Sequence, residues 1–230
     1  MTRDTTKVPV RVVGWPGAAL AIGFLAAPAL AQTPTAPPAG ADFRGEVAST
    51  EARRVADWAL AGDSGAAPFI IIDKVRARVF VFDKAGRLKG AASALLGKAY
   101  GDDTVPGIGH RRLSTIRLEE RTTPAGRFVA VFGRDFEQDV LWLDYDAGLS
   151  LHRVIFGEPG DRRLQRLATA SALDKRVSYG CINVPVTFYE KVVVPDMTGS
   201  RGIVYILPET KTVREVFQIP DALAAPSPGA

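Results

Sequence analysis

Thiols and imidazoles are scarce in this chain: 230 residues carry one cysteine, Cys181, and two histidines, His110 and His152. A single cysteine closes no internal disulfide, and without a resolving thiol it supports no dithiol redox cycle. Neither a Cys-x-x-Cys nor a His-x-x-x-His spacing occurs, so a metal shell would need distant carboxylates, and no metal site is expected. Gly107-x-Gly109 is too short for a dinucleotide fingerprint and no Gly-Lys-Ser/Thr follows it, so no cofactor is expected either. Charge of one sign is not in large excess: 29 basic residues against 25 acidic ones give a formal charge of +4, which does not point to nucleic acid. No segment recurs with a period of roughly 20 to 50 residues, which excludes solenoids and propellers. Apolar runs stay short of the roughly 20 residues that cross a bilayer.

The longest apolar stretch lies at the start. Arg3, Lys7 and Arg11 precede an apolar segment from Gly17 to Ala27 and an Ala29-Leu30-Ala31 site, the layout of a cleaved secretory signal over residues 1–31. A short membrane anchor is the competing reading, and the length of the run argues against it. Residues 32–66 combine a Pro/Ala-rich linker with an amphipathic helix. Val47, Ala48, Ala52, Val55, Ala56, Ala59 and Leu60 recur at three- and four-residue spacing until Gly62 stops them. Residues 67–208 are rich in β-forming runs, at 69–72, 77–82 and 88–96, and then at 128–132 after the turn Thr123-Pro124-Ala125-Gly126. Strands over 140–143 and 149–154 flank a turn at 144–148. A helix over 186–194 follows, and a last strand over 202–207 is expected to close the sheet. Residues 209–230 read as a tail. The fold class expected is mainly β: a β-rich α+β domain with a mixed, barrel-like or sandwich sheet and peripheral helices.

The segment Val177-Ser178-Tyr179-Gly180-Cys181-Ile182-Asn183-Val184-Pro185 concentrates the chemistry. Cys181 is an inert core residue, half of an intermolecular bridge or a nucleophile, and its neighbours favour the last. Gly180 permits positive φ and close approach, Ser178 and Asn183 suit a turn, and Pro185 suits the first position of a helix. A strand-to-helix junction of this kind lowers a thiol pKa. An unassisted cysteine, with a pKa of about 8.5, is only a few per cent thiolate at neutral pH, so a base is still required. His110 sits in a polar glycine-rich loop and reads as a solvated side chain. His152 shares one face of its strand with Ser150 and Val154, opposite Leu149, Leu151 and Arg153. A structural histidine is the ordinary reading of such a position, and the pairing with the lone thiol favours a general base.

Together these residues resemble the L,D-transpeptidases with a YkuD-like catalytic domain. The resemblance runs from about residue 69 to residue 208. It rests on Thr123-Pro124-x-Gly126-x-Phe128, on His152, and on Ser178-Tyr179-Gly180-Cys181-Ile182-Asn183. The family's pattern places a strand histidine ahead of a Ser-x-Gly-Cys-x-Asn or Ser-x-Gly-Cys-x-Arg segment, which implies Cys181 as nucleophile and His152 as general base. Two departures stand out: Tyr179 occupies a position where many members have histidine, and the 29 positions from His152 to Cys181 are more than is common. The extra length, 160–176, carries Arg162, Arg163, Arg166, Lys175 and Arg176 and reads either as a solvated charged face or as a basic lid.

The resemblance also implies the partners: peptide stems of peptidoglycan, and carbapenem-type β-lactams acylating Cys181. Export to the periplasm or envelope of a bacterium follows from it together with the signal. Backbone amides of Tyr179 and Gly180, with that of Cys181, are expected to hold an oxyanion. Ser178 or a main-chain carbonyl is expected to orient His152, and Asn183, Arg153, Arg166 and Arg176 to bind substrate. An L,D-carboxypeptidase, a stem amidase and a non-catalytic wall-binding module remain alternatives at this stage.

Overall fold

The computed structural model describes residues 40–135, 137–155 and 157–220. The expected secretory signal, the prolines of the linker and the last ten residues lie outside them. Helix α1 (Thr50–Trp58) begins at Ser49, whose hydroxyl accepts the Ala52 N–H at 3.0 Å and donates to Asp73 at 2.6 Å. One orphan amide is thus satisfied and the helix start is tied to the sheet. Its buried face is Ala52, Val55 and Ala56, and a π turn at Ala59–Asp63 ends it where Gly62 takes φ 154°.

Eleven strands follow among the described residues: β1 (Phe69–Asp73), β2 (Arg78–Phe82), β3 (Leu88–Ser93), β4 (Leu96–Gly97), β5 (Gly126–Val129), β6 (Val131–Asp135), β7 (Gln138–Asp144), β8 (Leu149–Arg153), β9 (Arg176–Ser178), β10 (Ile182–Val184) and β11 (Ile203–Ile206). Helix α2 (Arg163–Ala168) lies between β8 and β9. After β10, α3 (Val186–Phe188) passes through a π turn into α4 (Val194–Met197), and α5 (Val213–Phe217) follows β11. The strands form a five-stranded sheet in the order β3-β2-β1-β11-β5, a four-stranded sheet β10-β8-β7-β6, and a parallel pair β4-β9.

Alternation along the central strands explains the architecture. Ile70, Ile72, Val79, Val81, Val204 and Ile206 pack against Leu141, Leu143, Leu151, Ile182 and Val184 of the four-stranded sheet. The intervening Phe69, Ile71, Phe80, Phe82, Ile203 and Tyr205 pack in a second cluster with Val55 of α1 and Val213 and Phe217 of α5. Strands buried on both faces read as unbroken apolar runs, as at 69–72. Burying each such side chain contributes about 1.5–3 kcal/mol. The result is a β-rich α+β sandwich with peripheral helices, as expected.

Four expectations need correction. The apolar run at 128–132 is not one buried strand. β5 and β6 break at Ala130, whose N–H donates to Gly202 at 2.8 Å, and each becomes the edge of a different sheet with Val129 and Val131 exposed. β11 does not close an edge, because it pairs parallel with β1 and antiparallel with β5 in the middle of its sheet. The run at 88–96 divides into β3 and β4, which join different sheets. Finally, residues 209–219 are not a free tail: Phe217 and Ile219 are buried with α1 in the outer cluster, and Glu209, Thr210 and Lys211 bind the loop at Asp102.

Candidate active site

Two short strands build the site. β8 and β10 pair in parallel, with Ile182 opposite Leu151 and Asn183 opposite His152. Side chains alternate across a strand, and paired residues share a face. Leu151, Ile182 and Val184 therefore enter the core, while Ser150, His152, Cys181 and Asn183 are gathered on the other side. That face floors a cleft of about 390 Å³ lined by Ile108, Trp142, Gly148, His152, Arg163 and Tyr179, among others.

His152 is buried and its Nδ1 lies 2.7 Å from the Arg153 carbonyl oxygen. A carbonyl only accepts, so Nδ1 carries the proton and Nε2 is left as the basic nitrogen toward Cys181. The Cys181 thiol lies 3.5 Å from the Ser150 hydroxyl and 3.3 Å from the Gly148 carbonyl. Burial alone would push this thiol up. The hydrogen bond and charge of His152, helped by Ser150, outweigh burial and hold it below the ordinary cysteine value.

The turn ahead of Cys181 is fixed peptide by peptide. The Ser178 hydroxyl accepts the Gly180 N–H at 3.1 Å and donates to the Cys181 carbonyl at 2.7 Å. Gly180 takes φ 145°, and a Cβ there would stand 2.8 Å from the Thr122 carbonyl oxygen, so the position needs glycine. Among the described residues no acceptor takes the Tyr179 or Cys181 N–H, and both residues line the cleft. Those two amides, rather than that of Gly180, are therefore free to meet a developing negative charge.

The loop between β4 and β5 forms the other wall. It is pinned where Gly109 packs on the β7–β8 turn, its N–H donating to Asp146 at 2.9 Å; a Cβ on Gly109 would lie 2.4 Å from the Gly148 nitrogen. His110 is exposed beside Asp146 at 3.1 Å and stands on the outside of this contact. Arg111 enters the cleft paired with Glu120 at 3.0 Å, and Arg111, then Arg117, hold the Glu120 carboxyl down to about 2.

No protein-family model and no curated protein matches the chain. Among solved structures the chain is similar in fold to L,D-transpeptidases. The catalytic domain of the Enterococcus faecium enzyme matches over 62% of this chain and 98% of that domain, with 15% identity and a TM-score of 0.38. A mutant Enterococcus faecium L,D-transpeptidase matches over 61% of this chain and 50% of its own length, with 16% identity and a TM-score of 0.37. The helical cell shape determining protein Pgp2 from Campylobacter jejuni matches over 68% and 56% of the two chains, with 17% identity and a TM-score of 0.40. The match to the mutant enzyme thus spans half of that structure.

Cys181, His152, Ser178, Tyr179, Gly180 and Asn183 come together as a group. Of the two groups expected to orient His152, it is a main-chain carbonyl, that of Arg153, that meets the imidazole, while Ser178 bonds the turn. The three arginines expected to bind substrate lie elsewhere, because each has a nearer partner. Arg153 binds Asp139 at 2.8 Å and covers the Tyr189 ring. Arg166 donates to the Asp161 and Asp174 carbonyls, both at 2.7 Å, and so ties the 160–176 insertion to itself. Arg176 is buried against Glu209 and the Lys74 carbonyl.

The insertion nevertheless delivers one cation to the cleft. Arg163 donates to Asn183 Oδ1 at 3.1 Å and to Asp161 at 3.0 Å, while Asn183 Nδ2 donates to the Cys181 carbonyl at 3.2 Å. Ser150 is the second residue that sequence reasoning missed. Its signal was present, since it precedes His152 by two positions and so shares its face.

Proposed function

We propose that this protein is a cysteine acyltransferase of L,D-transpeptidase type acting on the peptide stems of peptidoglycan. The observation that carries the reading is a thiol held below its ordinary value by a backbone-oriented imidazole, beside two unpaired N–H groups in one cleft. In the first step His152 Nε2 takes the Cys181 proton and the sulfur attacks the carbonyl carbon between an L-centre and a terminal D-residue. The carbonyl electron pair moves to oxygen, where the Cys181 and Tyr179 amides receive it. Losing one such donor raises a barrier by roughly 3 kcal/mol. The tetrahedral centre collapses, the C–N bond breaks, and the imidazolium returns its proton to the departing amine. A second stem's amine then attacks the thioester while His152 takes the amine's proton, the C–S bond breaks to release the cross-linked peptide, and the imidazolium returns its proton to the Cys181 sulfur.

Arg163 supports the substrate class. A guanidinium is a fork matched to a carboxylate: Arg163 holds Asp161 through Nε and Nη2 and places Nη1 on the neutral amide of Asn183 at the cleft. Arg111 likewise pairs with Glu120. Exchange of the Asn183 contact for a stem carboxylate would anchor the donor beside the sulfur. Export to the periplasm or envelope, read from residues 1–31, brings the enzyme to that substrate, and carbapenems are expected to acylate the same sulfur.

The decisive test is incubation with a disaccharide tetrapeptide, with and without an amine acceptor. Cross-linked dimer that forms in the wild type and disappears in Cys181→Ala is the expected result. Tripeptide alone would indicate a hydrolase, and an unchanged substrate would overturn the assignment.

A further inference from the structure

Thr123 belongs to the Thr-Pro-x-Gly-x-Phe motif, and nothing in the reaction above uses it. It is fully buried. Its hydroxyl accepts the Gly97 N–H at 2.8 Å and donates to the Gly180 carbonyl at 2.7 Å, while its own carbonyl accepts the Lys74 ammonium at 2.8 Å. From this geometry we infer that Thr123 is a positioning residue for the oxyanion site, acting through the Gly180–Cys181 peptide.

The argument is one of peptide planes. In a trans peptide the C=O and the following N–H point in opposite directions, so a hold on the Gly180 oxygen also aims the Cys181 N–H. Ser178 fixes the two flanking peptides, through the Gly180 N–H and the Cys181 carbonyl. The peptide between them is bonded through the Thr123 hydroxyl. Gly180, at φ 145°, lacks the side chain that would resist rotation of that plane. Without the hydroxyl the plane is free to turn, and the Cys181 N–H leaves the cleft. The Lys74 bond and the Gly97 bond keep Thr123 from following it.

This inference rests on the nucleophile reading of Cys181 but not on peptidoglycan as substrate, so a generic pair of probes tests it. Iodoacetamide alkylates a thiolate by displacement at carbon, with no oxyanion formed. p-Nitrophenyl acetate requires one: the C–S bond forms, the carbonyl pair moves to oxygen, and the C–O bond then breaks to release p-nitrophenolate. Both rates are to be measured for the wild type, Thr123→Val and Thr123→Ser.

Thr123→Val is expected to lose roughly ten- to a hundredfold in acylation while its alkylation rate and pH midpoint stay at the wild-type values. Thr123→Ser is expected to recover most of the acylation. Equal loss in both reactions, or no loss in acylation, would overturn the inference while leaving the nucleophile assignment intact. A wild type that alkylates at the rate of an ordinary thiol and does not acylate would overturn both.

Discussion

Two of the polar clusters among the described residues are finished to different degrees. Lys74, Asp102, Arg176 and Glu209 form a network closed off from the cleft, in which Arg176 Nε alone lacks a partner: Lys74 meets Asp102 at 2.7 Å and Glu209 at 3.6 Å, and Arg176 pairs with Glu209. Asp102 also accepts from the amides of Glu209, Thr210 and Lys211. Burial pushes the Lys74 ammonium below its ordinary value against the pull of Asp102 and Glu209. Burial would push the Asp102 carboxyl up, but Lys74, Thr210 and the three amides hold it below the usual range. The Cys181–His152 cluster, by contrast, opens on a cleft and keeps two amides without acceptors among the described residues. A closed network carries scaffold and an open one carries chemistry; Thr123 touches both.

Substitutions should separate the two clusters by readout. His152→Gln is expected to lower acyl transfer by on the order of 10³ or more, with the thermal midpoint close to that of the wild type, measured as thioester formation by intact mass. Lys74→Met should do the reverse. It leaves Asp102 and Glu209 buried without their cation, so a loss of about 3–5 kcal/mol is expected in guanidinium unfolding. Alkylation of Cys181 in the folded variant should continue near the wild-type rate. A Lys74→Met protein of wild-type stability would break the comparison.

Much of the open cluster was legible from sequence, and the closed one was not. Alternation at 149–154 placed Ser150 and His152 on one face, and the lone thiol in a glycine turn needed a base. The partner of Arg176 is Glu209, 33 positions away, and that of Lys74 is Asp102, 28 positions away. Single charges at strand ends and in loops carry no periodicity, so nothing in the pattern joined them. The same reason hid Arg163: in a basic helix every arginine looks alike until Asp161 and Asp174 decide which of them turn inward. At 126–135, Phe128 and Phe132 suggested one buried strand, but a chain that switches sheets alternates exposure instead.

Two smaller effects sharpen the contrast. Arg163→Ala should raise KM for stem peptides about tenfold, the scale of one charge-assisted contact, while leaving acylation by uncharged esters unchanged. Steady-state kinetics on both donors would show it, and equal effects on the two would remove Arg163 from recognition. Acid should also act on the closed cluster. Because the folded Asp102 carboxyl is more acidic than its unfolded counterpart, the unfolded chain binds more protons in the window between the two values. The stability it contributes is fully present above about pH 4 and is lost as pH falls further. Asp102→Asn should therefore show a shallower acid loss in denaturant midpoints measured from pH 5 down to pH 3, and an unchanged slope would contradict the assignment.

The central claim is that His152 makes the Cys181 sulfur anionic, and the pH profile of iodoacetamide alkylation tests it most directly. The wild-type midpoint should fall below the ordinary cysteine value of about 8.5. In His152→Gln, where burial remains and the imidazole is gone, the midpoint should rise above it. Identical midpoints in the two proteins, at the value of a free thiol, would contradict the account.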